Sequence, residues 1–149
     1  MSKTILVPLD GSKRAEAILP HVEELAQRHE AKVVFIQVVE PPHLMVTPGQ
    51  PDLALHGQEL ERRTEKAELY LKAIRGEFQQ LSIDARLELG HGPVVEAIID
   101  AAARREADLV ALASHGRSGL AQVFYGSVAA GVLQRVDRPL LLVRSQTGE

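Results

Sequence analysis

The stretch of this chain with the most chemistry in it joins two apolar segments. It reads Ala113-Ser114-His115-Gly116, nine further residues, then Gly126-Ser127 opening a helical pattern. A bound phosphate chain needs close backbone approach and several amide donors. Glycine permits both, because it has no Cβ and tolerates positive φ. A helix N-terminus adds unpaired amides and a partial positive charge. Gly116, Gly119, Gly126 and Ser127 offer amides, Ser114 and Ser127 offer hydroxyls, and Arg117 offers charge. Each such contact contributes about 0.3–1 kcal/mol at an exposed helix end, so several must act together. A plainer reading stands beside this one at even weight. Gly116 and Gly119 then only shape a turn, and Gly126 only allows helices to pack closely.

Asp10 is the second candidate, in Pro8-Leu9-Asp10-Gly11-Ser12. A carboxylate at the carboxyl end of a central strand faces the ligand crevice of an open α/β sheet. There it can accept hydrogen bonds from ribose hydroxyls or help hold magnesium. It can equally cap the first helix or make a turn with Gly11, and both roles can hold at once. Glu40 ends the second apolar run and is expected near the crevice; Asp108 starts its strand and is expected far from it. His115 suits a solvated, structural role better than that of a base. His21, His29, His43, His56 and His91 show no metal-ligand spacing such as HExxH. Ser12 and Ser114 lack a GxSxG elbow. The P-loop pattern is absent, and Asp-Gly-Ser rather than GxGxxG follows the first strand. No catalytic set emerges, so a binding protein is expected rather than an enzyme.

These residues need elements to hold them. "TILVPL" (4–9), "KVVFIQVVE" (32–40), "IDARLELG" (83–90), "ADLVALAS" (107–114) and "LLLVR" (140–144) read as strands, the third near the sheet margin. Ser12 is placed to cap a helix that buries Ala15, Ile18, Leu19, Val22, Leu25 and Ala26, with Pro20 bending it from inside. Residues 41–57 hold four prolines and two glycines and read as a long loop, in which Leu44 and Met45 either cover a bound ligand or are disordered. A charged helix over 58–80 should bury Leu60, Ala67, Leu71, Ile74, Phe78 and, just beyond, Leu81. Its other face, rich in charge over 59–77, reads as solvated. Pro93 suits the first turn of a helix that buries Val94, Ala97, Ile98, Ala101 and Ala102. A last helix runs from Ser127 to about Val136. Strands alternating with helices imply parallel βαβ units in a doubly wound sheet.

The totals bound the answer. With 149 residues and 45% hydrophobic content, the chain has the size and composition of one ordinary globular domain. Aromatics are only 3%, so the core must be aliphatic. A net charge of −3 argues against a nucleic-acid partner. The absence of cysteine excludes disulfides and thiol chemistry, and favours a reducing compartment. The first segment is too brief for a signal peptide, and no run approaches a membrane span. A cytoplasmic protein without a membrane partner is expected.

The chain resembles the universal stress protein family from end to end. The resemblance rests on "ILVPLDGS", "GPVVEAIIDAAARREADLVALASHGRSGL" and "GSVAAGVLQRVDRPLLLVR", the last two being specific in combination. It implies an α/β fold in one domain over residues 1–149. The sheet would be open, five-stranded and parallel, in order 3-2-1-4-5 with helices on both faces, as in adenine-nucleotide α-hydrolase-like proteins. It also implies homodimers through the fifth strand, which the apolar "PLLLV" edge fits. Nucleotide-binding members carry G-x2-G-x9-G-(S/T). Gly116 and Gly126-Ser127 match, while Ala113 stands at the first glycine. That methyl matters where the backbone needs positive φ or a ligand packs on the Cα, at a cost on the order of 1 kcal/mol.

By the same resemblance, Pro8, Leu9 and Asp10 lie along an adenosine, and Val38 offers backbone groups to its adenine. Ala113, Ser114, His115, Gly116, Arg117, Gly126, Ser127 and Val128 line the phosphates. The implied ligand is ATP, or else ADP or AMP, with magnesium held through Asp10. The implied role is that of a homodimeric, ATP-binding stress-response or signalling module. A nucleotide-free structural or interaction dimer, and a slow ATP hydrolase, are the alternatives.

Overall fold

Five short runs rich in Val, Ile and Leu become strands because β-branched and aliphatic side chains fill a pleated surface covered on both faces. A computed structural model describes residues 3–42, 53–114 and 126–145. Its elements are β1 (Thr4–Pro8), a 3-10 turn (Ala15–Ile18), α1 (Leu19–His29), β2 (Lys32–Val39), α2 (Leu53–Gln80), β3 (Ala85–His91), α3 (Val94–Arg104), β4 (Leu109–Ser114), α4 (Ser127–Arg135) and β5 (Leu140–Arg144). The sheet order is β3-β2-β1-β4-β5. All four pairings are parallel. The expected open α/β sheet in order 3-2-1-4-5 is the observed one, with β3 at one margin.

Strand alternation sorts the core into two layers. Ile5, Val7, Val33, Phe35 and Ala111 face α1 and α2. Leu6, Val34, Ile36, Val110 and Leu112 face α3 and α4. The expected inward residues of α1 all meet the first layer. Phe78 of α2 meets Phe35 edge-on, with ring centroids 4.9 Å apart. Such a pair adds about 0.5–1.5 kcal/mol to its area burial.

The structure corrects several expectations. Pro20 does not bend a helix from inside. The chain first makes the 3-10 turn, and Pro20 falls in the opening turn of α1, where no intrahelical donor is lost. Pro93 is one step outside its helix, as an extended N-cap with φ −62° and ψ 136°. Helix α2 begins at Leu53 rather than Gln58, so residues 53–57 are helix and not loop. The misreading came from Gly57, which sits inside the helix in open space. Leu60 is only half-buried, and Leu81 is 41% exposed, just past the helix end.

Close helix packing depends on Gly131. A Cβ on Gly131 of α4 would lie 2.7 Å from Cγ2 of Val95 on α3, and Val95 is stiff at χ1. Nothing lies within 4 Å of a Cβ on Gly76 in α2. Denaturant melts of the two alanine variants should therefore move in opposite directions. Gly131→Ala loses about 1–3 kcal/mol through overpacking. Gly76→Ala gains about 0.5–1 kcal/mol from helix propensity.

Candidate functional site

Strand β1 stops at Pro8, while β2 runs on to Val39 and β4 to Ser114. Leu9 still donates its N–H to the Ile36 carbonyl at 2.9 Å. The chain then turns away at Gly11, whose φ is +86°. In a parallel ladder alternate residues turn their backbone groups to the same side. The N–H and C=O of Val38 therefore face the space that β1 has vacated. A crevice opens there at the carboxyl edge of the sheet, where open α/β sheets bind ligands.

The crevice has two lobes that share Asp10, Val38 and Glu40. The first is a cavity of about 190 Å³, walled by Pro8, Leu9, Ile36, Leu112 and Val128 among others. Five expected site residues, Pro8, Leu9, Asp10, Val38 and Val128, thus come together in one mostly apolar space. The second is about 380 Å³ and polar, closed by Gln37, Arg62, Arg63, Lys66 and Tyr70.

Asp10 adopts the turn role. Its Oδ1 accepts hydrogen bonds from the Ser12 N–H at 2.9 Å and the Ser12 hydroxyl at 2.6 Å. Ser12 Oγ in turn accepts from the Ala15 N–H at 3.2 Å and so caps the 3-10 turn. Asp10 is exposed, and its Oδ2 has no partner among the described residues, which leaves it able to accept from a ligand.

The start of α4 borders the same crevice. Gly126 is its N-cap, with φ +85° and ψ 154°, a conformation that favours glycine. The amides at Ser127, Val128 and Ala129 precede the first intrahelical donor, Ala130, which bonds to the Gly126 carbonyl at 2.9 Å. Ser127 itself is exposed. Ser114 is only 3% exposed, and its Oγ is buried without a partner. Ala113 lies in β4 opposite Val143, packs against the α1–α2 layer, and is not among the positive-φ residues. Its methyl therefore meets no backbone requirement for glycine. His115, Gly116, Arg117 and Gly119 lie outside the described residues, as do His43, Leu44 and Met45. Among the described residues no group of three His, Asp or Glu is placed to hold a metal ion. Asp108 is far from the crevice, where its carboxylate accepts from the Thr4 N–H at 2.8 Å.

Sequence reasoning missed the α2 wall. Residues 59, 62, 63, 66 and 70 recur at helical spacing on one face, and that face was read as solvated. Hydrogen bonds from Arg62 and Arg63 hold the Glu59 carboxyl down at about 2. Arg63 also donates to the Glu40 carbonyl at 3.1 Å, tying α2 to the end of β2. Tyr70 donates its hydroxyl to Glu16 at 2.7 Å, pinning α2 to the 3-10 turn. Burial, and then that bond to Glu16, push the Tyr70 phenol above its usual range.

The model of the universal stress protein family matches residues 1–144. A universal stress protein of Thermus aquaticus is 33% identical over 147 residues, covering 97% of this chain and all of that one. The solved structure of MJ0577, a universal stress protein of Methanocaldococcus jannaschii, superposes with a TM-score of 0.84 at 24% identity, covering 99% of both chains. The universal stress protein of Archaeoglobus fulgidus in complex with dAMP superposes with a TM-score of 0.67 at 15% identity, covering 96% of this chain and 98% of that one. The fold is the adenine-nucleotide α-hydrolase-like one.

The Tyr70–Glu16 bond has a pH signature. A phenol whose folded pKa is raised stabilises the fold below its unfolded value of about 10, and that contribution fades as pH climbs beyond it. Chemical melts should show wild-type stability falling above pH ~10 more steeply than that of Tyr70→Phe. At neutral pH the variant should be about 1 kcal/mol less stable, the usual net value of one hydrogen bond. Equal slopes for the two proteins would show that the phenol is neither buried nor bonded to Glu16 in solution.

Proposed function

The chain belongs to the universal stress protein family, and from that premise we propose that its crevice binds an adenine nucleotide. The observation that carries this reading is the pairing of the apolar first lobe with an amide-rich helix start. Adenine fits between the ends of β1 and β2, with the open Val38 N–H and C=O to hydrogen-bond its edge. Asp10 Oδ2 accepts from the ribose hydroxyls. The phosphates run toward the amides of Ser127 and Val128, and the Ser114 hydroxyl gains there the acceptor that it lacks. His115, Gly116 and Arg117 complete that end of the site. A relative solved with dAMP makes an adenine nucleotide the natural first ligand to test.

ATP is the proposed ligand, with magnesium held between its phosphates and Asp10. Ala113 meets no backbone demand for glycine in β4, which supports this reading. The protein is read as a binding module rather than as an enzyme, with nucleotide turnover as the measurement that decides. It works as a homodimer in a cytoplasmic stress response. β5 pairs with β4 on one side only, and half-buried Leu140, Leu141, Leu142 and Val143 make it an adhesive margin. No described helix is long and apolar enough to cross a membrane.

Calorimetry with ATP and AMP tests the reading, and Ser114→Ala sharpens it. Removing a buried hydroxyl that has no partner should leave the free protein as stable as wild type or about 1 kcal/mol more stable. The same change should weaken nucleotide binding by roughly five- to tenfold. A well-folded wild type that releases no heat with either nucleotide rejects the proposal. Brisk magnesium-dependent ADP release would overturn the non-enzymatic part of it.

The Gly126→Val variant should lose nucleotide binding altogether, because a branched side chain strains φ +85° and enters the phosphate path. Its circular dichroism separates a folded, non-binding protein from an unfolded one. A folded Gly126→Val that binds like wild type removes α4 from the site.

A further inference from the structure

The second lobe is twice the size of the first, at about 380 Å³ against 190 Å³, and the adenine reading leaves it unused. Its walls carry opposite charge. The strand ends contribute Asp10 and Glu40. Helix α2 contributes Arg62, Arg63 and Lys66. Arg62 and Arg63 share the single carboxylate of Glu59, so that pair keeps a net positive charge. Lys66 makes no ion pair among the described residues. Between the walls sits Gln37, whose amide oxygen is buried without a hydrogen-bond partner. A buried carbonyl left unpaired is costly enough to call for a donor.

These walls are held in place. Arg63 grips the Glu40 carbonyl, Tyr70 grips Glu16, and Ser12 fixes one oxygen of Asp10. A ligand that satisfies this lobe presents hydroxyl donors to one wall and an anion to the other. We propose that the second lobe is a binding site for a sugar phosphate. Its hydroxyls donate to Glu40 and Gln37, which the adenine reading leaves free. Its phosphate accepts from Lys66 and Arg62, in charge-assisted bonds of the stronger kind. The sugar phosphate is either a free metabolite or the far half of an extended nucleotide whose adenosine fills the first lobe. The site does not depend on the adenine reading, because its Gln37, Arg62, Lys66 and Tyr70 all lie outside the first lobe.

Ribose 5-phosphate is the probe, titrated into the isotope-labelled full chain and followed by amide spectra. The amides of Gly11, Lys66 and Tyr70 should move and saturate. Ribose without phosphate should bind at least roughly tenfold more weakly, and Lys66→Glu should weaken ribose 5-phosphate by roughly tenfold or more. Lys66 is exposed on a helix, so the variant should fold as wild type does. Lys66→Gln should fall between the two. Absent or unsaturable shifts, or an unchanged affinity in Lys66→Glu, overturn the proposal.

Repeating the titration with saturating AMP separates the two sources. Undiminished binding beside AMP supports a free metabolite. ADP-ribose binding more tightly than AMP, a gain lost in Lys66→Glu, supports an extended nucleotide, whereas exclusion of ribose 5-phosphate by AMP places both in one lobe and overturns the proposal. A chain that takes AMP normally and no sugar phosphate overturns the second lobe while leaving the nucleotide reading intact.

Discussion

The site depends on where the central strand stops. β1 is flanked on both sides and buried along its whole length, and it pairs with β2 up to Pro8 and with β4 up to Leu6. Its neighbours β2 and β4 continue past that point. Turning the middle strand out of the sheet leaves their inner backbone groups without a ladder partner. That turn needs a left-handed residue, and Gly11 supplies it at φ +86°. Asp10 and Ser12 close the turn with two hydrogen bonds. The crevice is thus a consequence of sheet termination and not a hollow carved into a finished core.

The two-residue period of the strands then divides the crevice. On β2, Ile36 and Val38 turn toward α3 and α4, whereas Gln37 and Val39 turn toward α2. On β4, Ala113 and Ser114 part in the same way. The apolar lobe is therefore backed by the aliphatic layer under α3 and α4. The polar lobe is backed by the exposed side of a 28-residue helix. A one-residue register slip in β2 would exchange the two linings. Pairing of Val38 with Gly90 protects against it, since a Cβ on Gly90 would lie 3.3 Å from Cγ2 of Val38.

Most of the fold was legible because it rests on pattern. Short aliphatic runs alternating with helical periodicity force parallel crossovers; the inward face of α1 followed from spacing alone, and that of α3 did for Val94, Ile98, Ala101 and Ala102 but not for Val95 and Ile99. The strand order came from resemblance, since spacing does not say which strand neighbours which. Errors fell where one local signal outweighed context. Gly57 looked like a loop end and proved to be helix, because the propensity of its neighbours carries across a single glycine. Pro20 looked like a kink and proved to be a beginning. At the site, Pro8, Leu9, Asp10, Val38 and Val128 were legible as strand ends and a helix start. Gln37, Arg62, Lys66 and Tyr70 were not. Periodicity tells which side of α2 is buried, and it is silent on what the polar side looks toward.

Local inconsistency in this molecule is not spread evenly. The aliphatic core is complete, with Leu6, Val7, Val22, Val33, Val34, Phe35, Leu71, Val110 and Val132 at 0% exposure. Among the described residues, the buried side-chain atoms without a hydrogen-bond partner are on Arg14, Gln37, His56, Ser114 and Arg138, the last with its Nε 3.4 Å from Asp137 Oδ1 in an ion pair. Of these, only Arg138 belongs to the amino edge of the sheet. It leads into β5 and donates another of its nitrogens to the Ala107 carbonyl. The other four cluster around the carboxyl edge, on the segments after β1, at the end of β2, in the first turns of α2 and at the end of β4. The left-handed glycines Gly11, Gly92 and Gly126 lie at that edge too, while the left-handed Glu30, Ser82 and Glu106 end helices at the amino edge. A sequence selected for stability alone would satisfy those atoms or replace them with apolar ones. Their persistence on one edge, beside a core with no such defects, is the mark of an edge whose polar groups are meant to be completed by something other than the chain itself.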